Sequence, residues 1–229
     1  VAGVTIRGVL FDFSGTLYRL ENDGPWLAGL VDESAGLTGE REAELLRRLS
    51  APTGPLDGLP DHLQEAWARR DLDPAVHRDV HVALFHRLGL AEALATRFYE
   101  RLINPVQWRP YPDTAEVLHR LRDSGVRVAV VSNIAWDIRE VLRRHGVLDL
   151  VDAVVMSYVE GRIKPDPELF RVACARIGVD PAEALMVGDS EEADGGAAAV
   201  GCRVSIVEPL PTAERPSALL DALAAHRLG

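Results

Sequence analysis

Short uninterrupted apolar blocks recur along the chain and limit what it can become. They are "VTIRGVLFDF" near the start, "VRVAVVSN" (126–133), "EALMVGD" (183–189) and "CRVSIVE" (202–208), with a weaker one in "VDAVVMS" (151–157). A strand with no polar alternation is buried on both faces, which happens in a parallel sheet covered by helices on either side. Helical patterns fall between the blocks. "TAEVLHRLRDSG" has a cap at Asp113 or Thr114 and a stop at Gly125, "AWDIREVLRRHG" ends on His145 and Gly146, and "DPELFRVACARIG" carries Pro167 in its first turn. From residue 113 onward helix and strand alternate, so the spacing predicts an α/β, doubly wound parallel sheet.

Residues 18–106 break that rhythm and contain no convincing strand. "EREAELLRRLSA", "PDHLQEAWARRD", "DPAVHRDVHVALFHRLG" and "LAEALATRFYERLIN" all place apolar residues at three- and four-residue spacing. "APTGPLDGLPD" (51–61) reads as a turn-rich connection. The expected organisation is a core of residues 1–17 and 107–229 with an all-helical insert over 18–106.

Composition removes several function classes. A net charge of −10 opposes broad binding to nucleic acid or anionic membrane, which both require a positive surface. Cys174 and Cys202 lie in apolar stretches and read as reduced, buried thiols. No apolar run reaches the roughly 18 residues of a membrane span, and the opening residues read as a strand, so a cytoplasmic location is expected. Among the 25 basic residues there is one lysine, Lys164. Arginine replaces lysine harmlessly on most surfaces but not where a compact ammonium is needed, which makes Lys164 a site candidate.

Ligands of open parallel sheets bind at the carboxyl ends of the strands. Asp12, the pair Ser132–Asn133, Lys164, and Asp189 with Asp194 five residues on all fall there. Asp12 and Asp189 would repel each other without a cation, and hard oxygen donors favour Mg²⁺ with a substrate phosphate. Lys164 would keep a carboxylate ionised as a nucleophile. Ser132, and backbone N–H groups after the first strand, would donate to phosphoryl oxygens. The chemistry these groups suit is phosphoryl transfer through an aspartyl-phosphate on a small phosphorylated molecule.

"FDFSGTL", "VVSN", "GRIKPDPELF" and "VGDSEEADGGAAAVG" resemble, in order, the four motifs of the haloacid dehalogenase superfamily of hydrolases. The resemblance covers the core, and the helical insert is similar to the family's C1-type cap. It implies a Rossmann-like core and a set of roles. Asp12 would be the nucleophile. Asp12, the Ser14 backbone carbonyl and Asp189 would bind Mg²⁺, with Asp194 supporting them from behind. Ser132 would hold the transferring group with Gly15, Thr16 and Asn133 nearby, and Lys164 would stabilise the nucleophile. Most members with this set are phosphatases.

One position departs from the pattern. The family's phosphatases carry an aspartate two residues after the nucleophile, as acid and then base, where this chain has Ser14. General acid–base catalysis contributes about 10²–10⁴-fold. The open readings are a phosphatase restricted to good leaving groups, one whose acid comes from elsewhere, a non-catalytic binder of phosphate and Mg²⁺, or a dehalogenase. Asp189 weighs against the last, because a metal-independent dehalogenase has no use for it. Phosphonate cleavage would need a lysine in the insert, and none is present. His62, His77, His81 and His86 are the candidate replacement acids, although His77 and His81 read more simply as a solvated or interhelical face. Tyr18, Arg19, Arg69, Arg70, Arg78 and Trp136 are candidates for lining the pocket.

Overall fold

The computed structural model describes residues 5–21, 60–87 and 89–228. Five parallel strands form the central sheet: β1 (Gly8–Phe11), β4 (Arg127–Ser132), β5 (Ala153–Met156), β6 (Ala184–Gly188) and β7 (Arg203–Ile206), in the order β5-β4-β1-β6-β7. β1 lies centrally, with Phe11 opposite Val130 on one side and Val187 on the other. Strand order reverses around β1, so a crevice opens at the carboxyl ends of β1, β4 and β6, where such sheets bind ligands.

Side chains alternate across the sheet as the two-residue period requires. Val9, Phe11, Val128, Val130, Leu185 and Val187 face one way. They pack against α4 (Thr114–Asp123), α5 (Arg139–Arg144) and α8 (Ala218–Ala225). Leu10, Ala129, Val131 and Met186 face the other way, onto Leu169, Phe170, Ala173 and Ile177 of α7 (Pro167–Ile177). Burying a Leu or Phe of this kind stabilises the fold by roughly 1.5–3 kcal/mol. Asp166 caps α7 by accepting the Glu168 N–H at 2.9 Å, with Pro167 at the first helical position.

Two local expectations need correction. Asp113 does not cap its own helix. Its Oδ2 accepts the N–H groups of Leu219 (2.8 Å) and Leu220 (3.2 Å), capping α8 instead. Residues 18–20, expected to be helical, form the short strand β2 (Tyr18–Leu20), antiparallel to β3 (Trp108–Pro110). This two-stranded ribbon is where the chain leaves the core and returns, and pairing across it outweighs the weak local propensity of three residues.

Between β2 and β3 lie α1 (Asp61–Ala68), a 3₁₀ turn at Arg70–Leu72, α2 (Pro74–Arg87) and α3 (Glu92–Leu102). No strand occurs among the described residues of this stretch. The helix expected in "EREAELLRRLSA" lies outside the described residues, as does most of the turn-rich segment at 51–61. A short helix, α6 (Ser157–Glu160), follows β5 and meets the 3₁₀ turn of the insert: the Ser157 hydroxyl donates to the Asp71 carbonyl at 2.5 Å.

Candidate active site

Asp12 is the first residue beyond β1. Its N–H donates to the Val187 carbonyl at 2.9 Å, so the neighbouring strand sets its position. β6 delivers Asp189 in the same way. Lys164 arrives from the loop before α7 and is clamped through its backbone: its N–H donates to Asn133 Oδ1 (2.7 Å), and Asn133 Nδ2 donates to its carbonyl (3.0 Å). Asn133, expected near the transferring group, lines the cavity and also holds the lysine backbone through its side-chain amide.

The ammonium thus presented donates from Nζ to Asp12 Oδ1 and to Asp194 Oδ1, both at 2.6 Å, in a pocket where Lys164 is 4% exposed. Burial alone would lower the Lys164 pKa, but Asp12 and Asp194 raise it above its ordinary value, so the amine stays charged. Asp194 is further held through Oδ2 by the Ser190 N–H at 3.0 Å. It lies so close to Gly188 that a Cβ there would sit 2.1 Å from its carboxyl carbon.

Three carboxylates compete for one cation. Burial pushes Asp12 up to about 6; Lys164 opposes the shift and Asp194 adds to it. Asp189 is pushed up to about 8 by burial and by its neighbours Asp12 and Asp194. One oxygen from each of Asp12, Asp189 and Asp194 lies within 4.8 Å of the others. Asp12 Oδ2 is buried with no hydrogen-bond partner among the described residues. An all-oxygen, charge-excess site with an orphaned carboxylate oxygen fits a hard divalent cation such as Mg²⁺.

The loop that follows Asp12 is a tight turn. The Gly15 N–H donates to the Tyr18 carbonyl (2.7 Å) and the Tyr18 N–H to the Phe13 carbonyl (2.9 Å). Gly15 has φ +86°, and a Cβ there would meet Asp189 Oδ2 at 2.3 Å, so glycine is what lets loop and metal carboxylate approach. Arg215 braces the turn from the C-terminal region. Its guanidinium donates to the Gly15 carbonyl at 2.7 Å and to the Thr16 carbonyl, and lies 3.1 Å over the Tyr111 ring. No local signal marks this arginine among 23 others.

Asp12, Ser14, Gly15, Asn133, Lys164, Asp189 and Asp194 line one cavity. Thr16 and Ser132 are buried beside it, and their hydroxyls have no hydrogen-bond partner among the described residues. Arg19, Arg70 and Trp136 also line the cavity, as expected for pocket candidates, while Tyr18 is buried and stacks on Phe13 at 5.1 Å. Arg69 is exposed, and Arg78 pairs with Asp79 at 3.6 Å; neither lines the cavity.

The insert's histidines divide. His62 is exposed, and His86 is engaged by Glu92 at 2.7 Å. His77 and His81 do not form a solvated face. They are 6% and 8% exposed, lie 4.2 Å apart between ring centres at a 40° tilt and line the cavity. Burial, together with each other's and Arg70's charge, holds His77 down at about 2, and burial foremost holds His81 at about 4. Helical spacing alone put them on one face; only packing showed which way the face turned. A further cavity group, Asp71, carried no recognised motif.

The haloacid dehalogenase-like hydrolase family profile matches residues 6–201. The chain is 35% identical over 149 residues to mouse haloacid dehalogenase-like hydrolase domain-containing protein 3, covering 61% of this chain and 59% of that one. The chain thus spans well under two thirds of that relative. It is 31% identical over 214 residues to a phosphoglycolate phosphatase of Nitrosospira multiformis, covering 88% of this chain and 83% of the relative. The fold is also similar to that of an L-2-haloacid dehalogenase from Xanthobacter autotrophicus (TM-score 0.65, 24% identity, 98% of this chain and 85% of that one). With the tight loop after Asp12, the clamped lysine and the carboxylate cluster at the carboxyl ends of the strands, the chain belongs to the haloacid dehalogenase-like hydrolase family.

Proposed function

We propose that this hydrolase is a Mg²⁺-dependent phosphatase for a small phosphorylated metabolite, working through an aspartyl-phosphate on Asp12, with residues 18–106 as its cap. The observation that carries this reading is the close arrangement of buried Asp12 and Asp194 and half-buried Asp189 at Lys164, with one Asp12 oxygen left unpartnered among the described residues. A phosphatase among the relatives supports it. Asp12, the Ser14 carbonyl and Asp189 would hold Mg²⁺, which would supply charge neutralisation for the phosphoryl group and the attacking carboxylate. Lys164 orients Asp12 and keeps part of its charge in place. The Ser132 and Thr16 hydroxyls have donors to spend on phosphoryl oxygens. Such fixed donors, already oriented before substrate arrives, stabilise the charge of the transition state.

Ser14, in place of a titratable group, favours one second reading, a binder of phosphate and Mg²⁺ without turnover. Acetyl phosphate separates the two, because its leaving group requires no proton. Mixing it with protein and Mg²⁺, quenching within seconds and weighing the intact chain should show a phosphoryl adduct or Asp12-dependent phosphate release. The Asp12→Asn variant should show neither. Neither signal in the wild type would exclude the phosphatase reading and leave the binder.

A further inference from the structure

The phosphatase reading leaves the proton unassigned, because Ser14 lines the cavity where the acid would stand. The titratable groups on the cavity wall can be taken in turn. Asp12, Asp189 and Asp194 belong to the cation site, and Lys164 is bound to two of them. Arg19 and Arg70 do not release protons near neutrality. His77 and His81 are held neutral, so neither has a proton to give as an imidazolium. Among the described residues, Asp71 remains.

Its setting suits the task. Asp71 is 8% exposed and sits in the 3₁₀ turn of the insert, on the cavity wall. Its backbone is tied to the catalytic edge of the sheet. The Ser157 hydroxyl donates to its carbonyl at 2.5 Å, and the same oxygen accepts the Ile134 N–H at 2.8 Å, two residues beyond β4. The side chain faces Arg70 Nη2 at 3.4 Å and His77 Nε2 at 4.0 Å. Arg70 is itself pinned by donating to the Trp67 carbonyl at 2.8 Å and lying 4.1 Å over the Trp67 ring. No hydrogen bond among the described residues engages either Asp71 carboxyl oxygen.

We infer that Asp71, delivered by the insert, is the catalytic acid–base that the nucleophile loop lacks. Burial raises its pKa, with Arg70 and Lys164 opposing, so burial favours the protonated form that the first step needs. In that step Asp12 attacks phosphorus, and the bond from phosphorus to the leaving oxygen breaks with its electron pair on that oxygen. Asp71 gives it the proton, releasing the alcohol. In the second step water attacks the aspartyl-phosphate and Asp71 takes a proton from that water. The bond from phosphorus to the Asp12 oxygen breaks, freeing inorganic phosphate and restoring both carboxyl groups.

This inference rests on the phosphatase reading, and the two fail differently. The probes are phenyl phosphate, whose leaving oxygen needs a proton, and p-nitrophenyl phosphate, whose leaving oxygen does not. Asp71→Asn should lower kcat/KM for phenyl phosphate by about 10²–10⁴-fold and leave kcat/KM for p-nitrophenyl phosphate nearly unchanged. It should also accumulate phosphoprotein visible by intact mass, since the second step loses its base. Adding Ser14→Asp to that variant should restore phenyl phosphate turnover. Equal losses on both substrates, with no phosphoprotein and no rescue, would make Asp71 a structural residue and overturn the inference. An unchanged Asp71→Asn enzyme would overturn it too. A wild type that neither forms the adduct nor releases phosphate would remove the phosphatase reading and this inference with it.

Discussion

Gly15 shows how tightly single residues are constrained at this site. Its left-handed backbone and the 2.3 Å approach that a Cβ would make to Asp189 both require glycine. Gly15→Ala should therefore cost about 1–3 kcal/mol in stability. It should also shrink the thermal stabilisation that Mg²⁺ provides, because the displaced carboxylate is one of the proposed ligands. Denaturation with and without Mg²⁺ checks both. At this scale much of the site could be read from the chain: Asp12 and Asp189 directly follow strands, and Lys164 and Asp194 lie in recognisable stretches further along. Asp71 and Arg215 could not be read, because each acts through contacts with residues distant in sequence, Ser157 and Gly15 respectively.

At the scale of elements, α2 carries a stability signature in its adjacent buried histidines. In the unfolded chain a histidine titrates near 6.5, whereas in the fold His77 lies at about 2 and His81 at about 4. Between those values the unfolded state binds more protons, so stability falls as pH drops below about 6.5. At pH 5 each should cost on the order of 2 kcal/mol relative to neutral pH, so about 4 kcal/mol for the pair. His81→Gln removes one such proton acceptor, so the difference in unfolding free energy between wild type and variant should narrow as pH falls from 7 to 5. Urea titrations at several pH values measure this, and a constant difference would contradict it. The wide apolar spacing of α2 gave no direction to this face; Tyr99 on α3 and Trp67 on α1 did, by packing beside the pair.

For the whole molecule, the sheet concentrates negative charge at one edge. Without a cation, Asp12 at about 6 and Asp189 at about 8 both lie above the ordinary carboxylate value. Their protonated forms are favoured in the fold, so their contribution to stability is present at low pH and is lost as pH rises through about 6 to 8. Mg²⁺ competes with those protons. The Mg²⁺-induced rise in Tm should therefore be larger at pH 8.5 than at pH 6, following the stabilisation expected for a ligand of the folded state. An equal rise at both values would argue that the cation is held elsewhere.

The sequence by itself determined the doubly wound sheet, its helices and the stretches that carry Asp12, Lys164, Asp189 and Asp194. These follow from local periodicity and from where apolar runs stop, and both are written in consecutive residues. Tertiary structure alone decided that residues 18–20 pair with 108–110, that Asn133 clamps Lys164, that Asp113 caps a helix about a hundred residues away, and that Asp71 shares a cavity with Asp12. Each depends on a contact whose partners are brought together only after the sheet has formed and the insert has settled on its edge, so no local pattern could encode it.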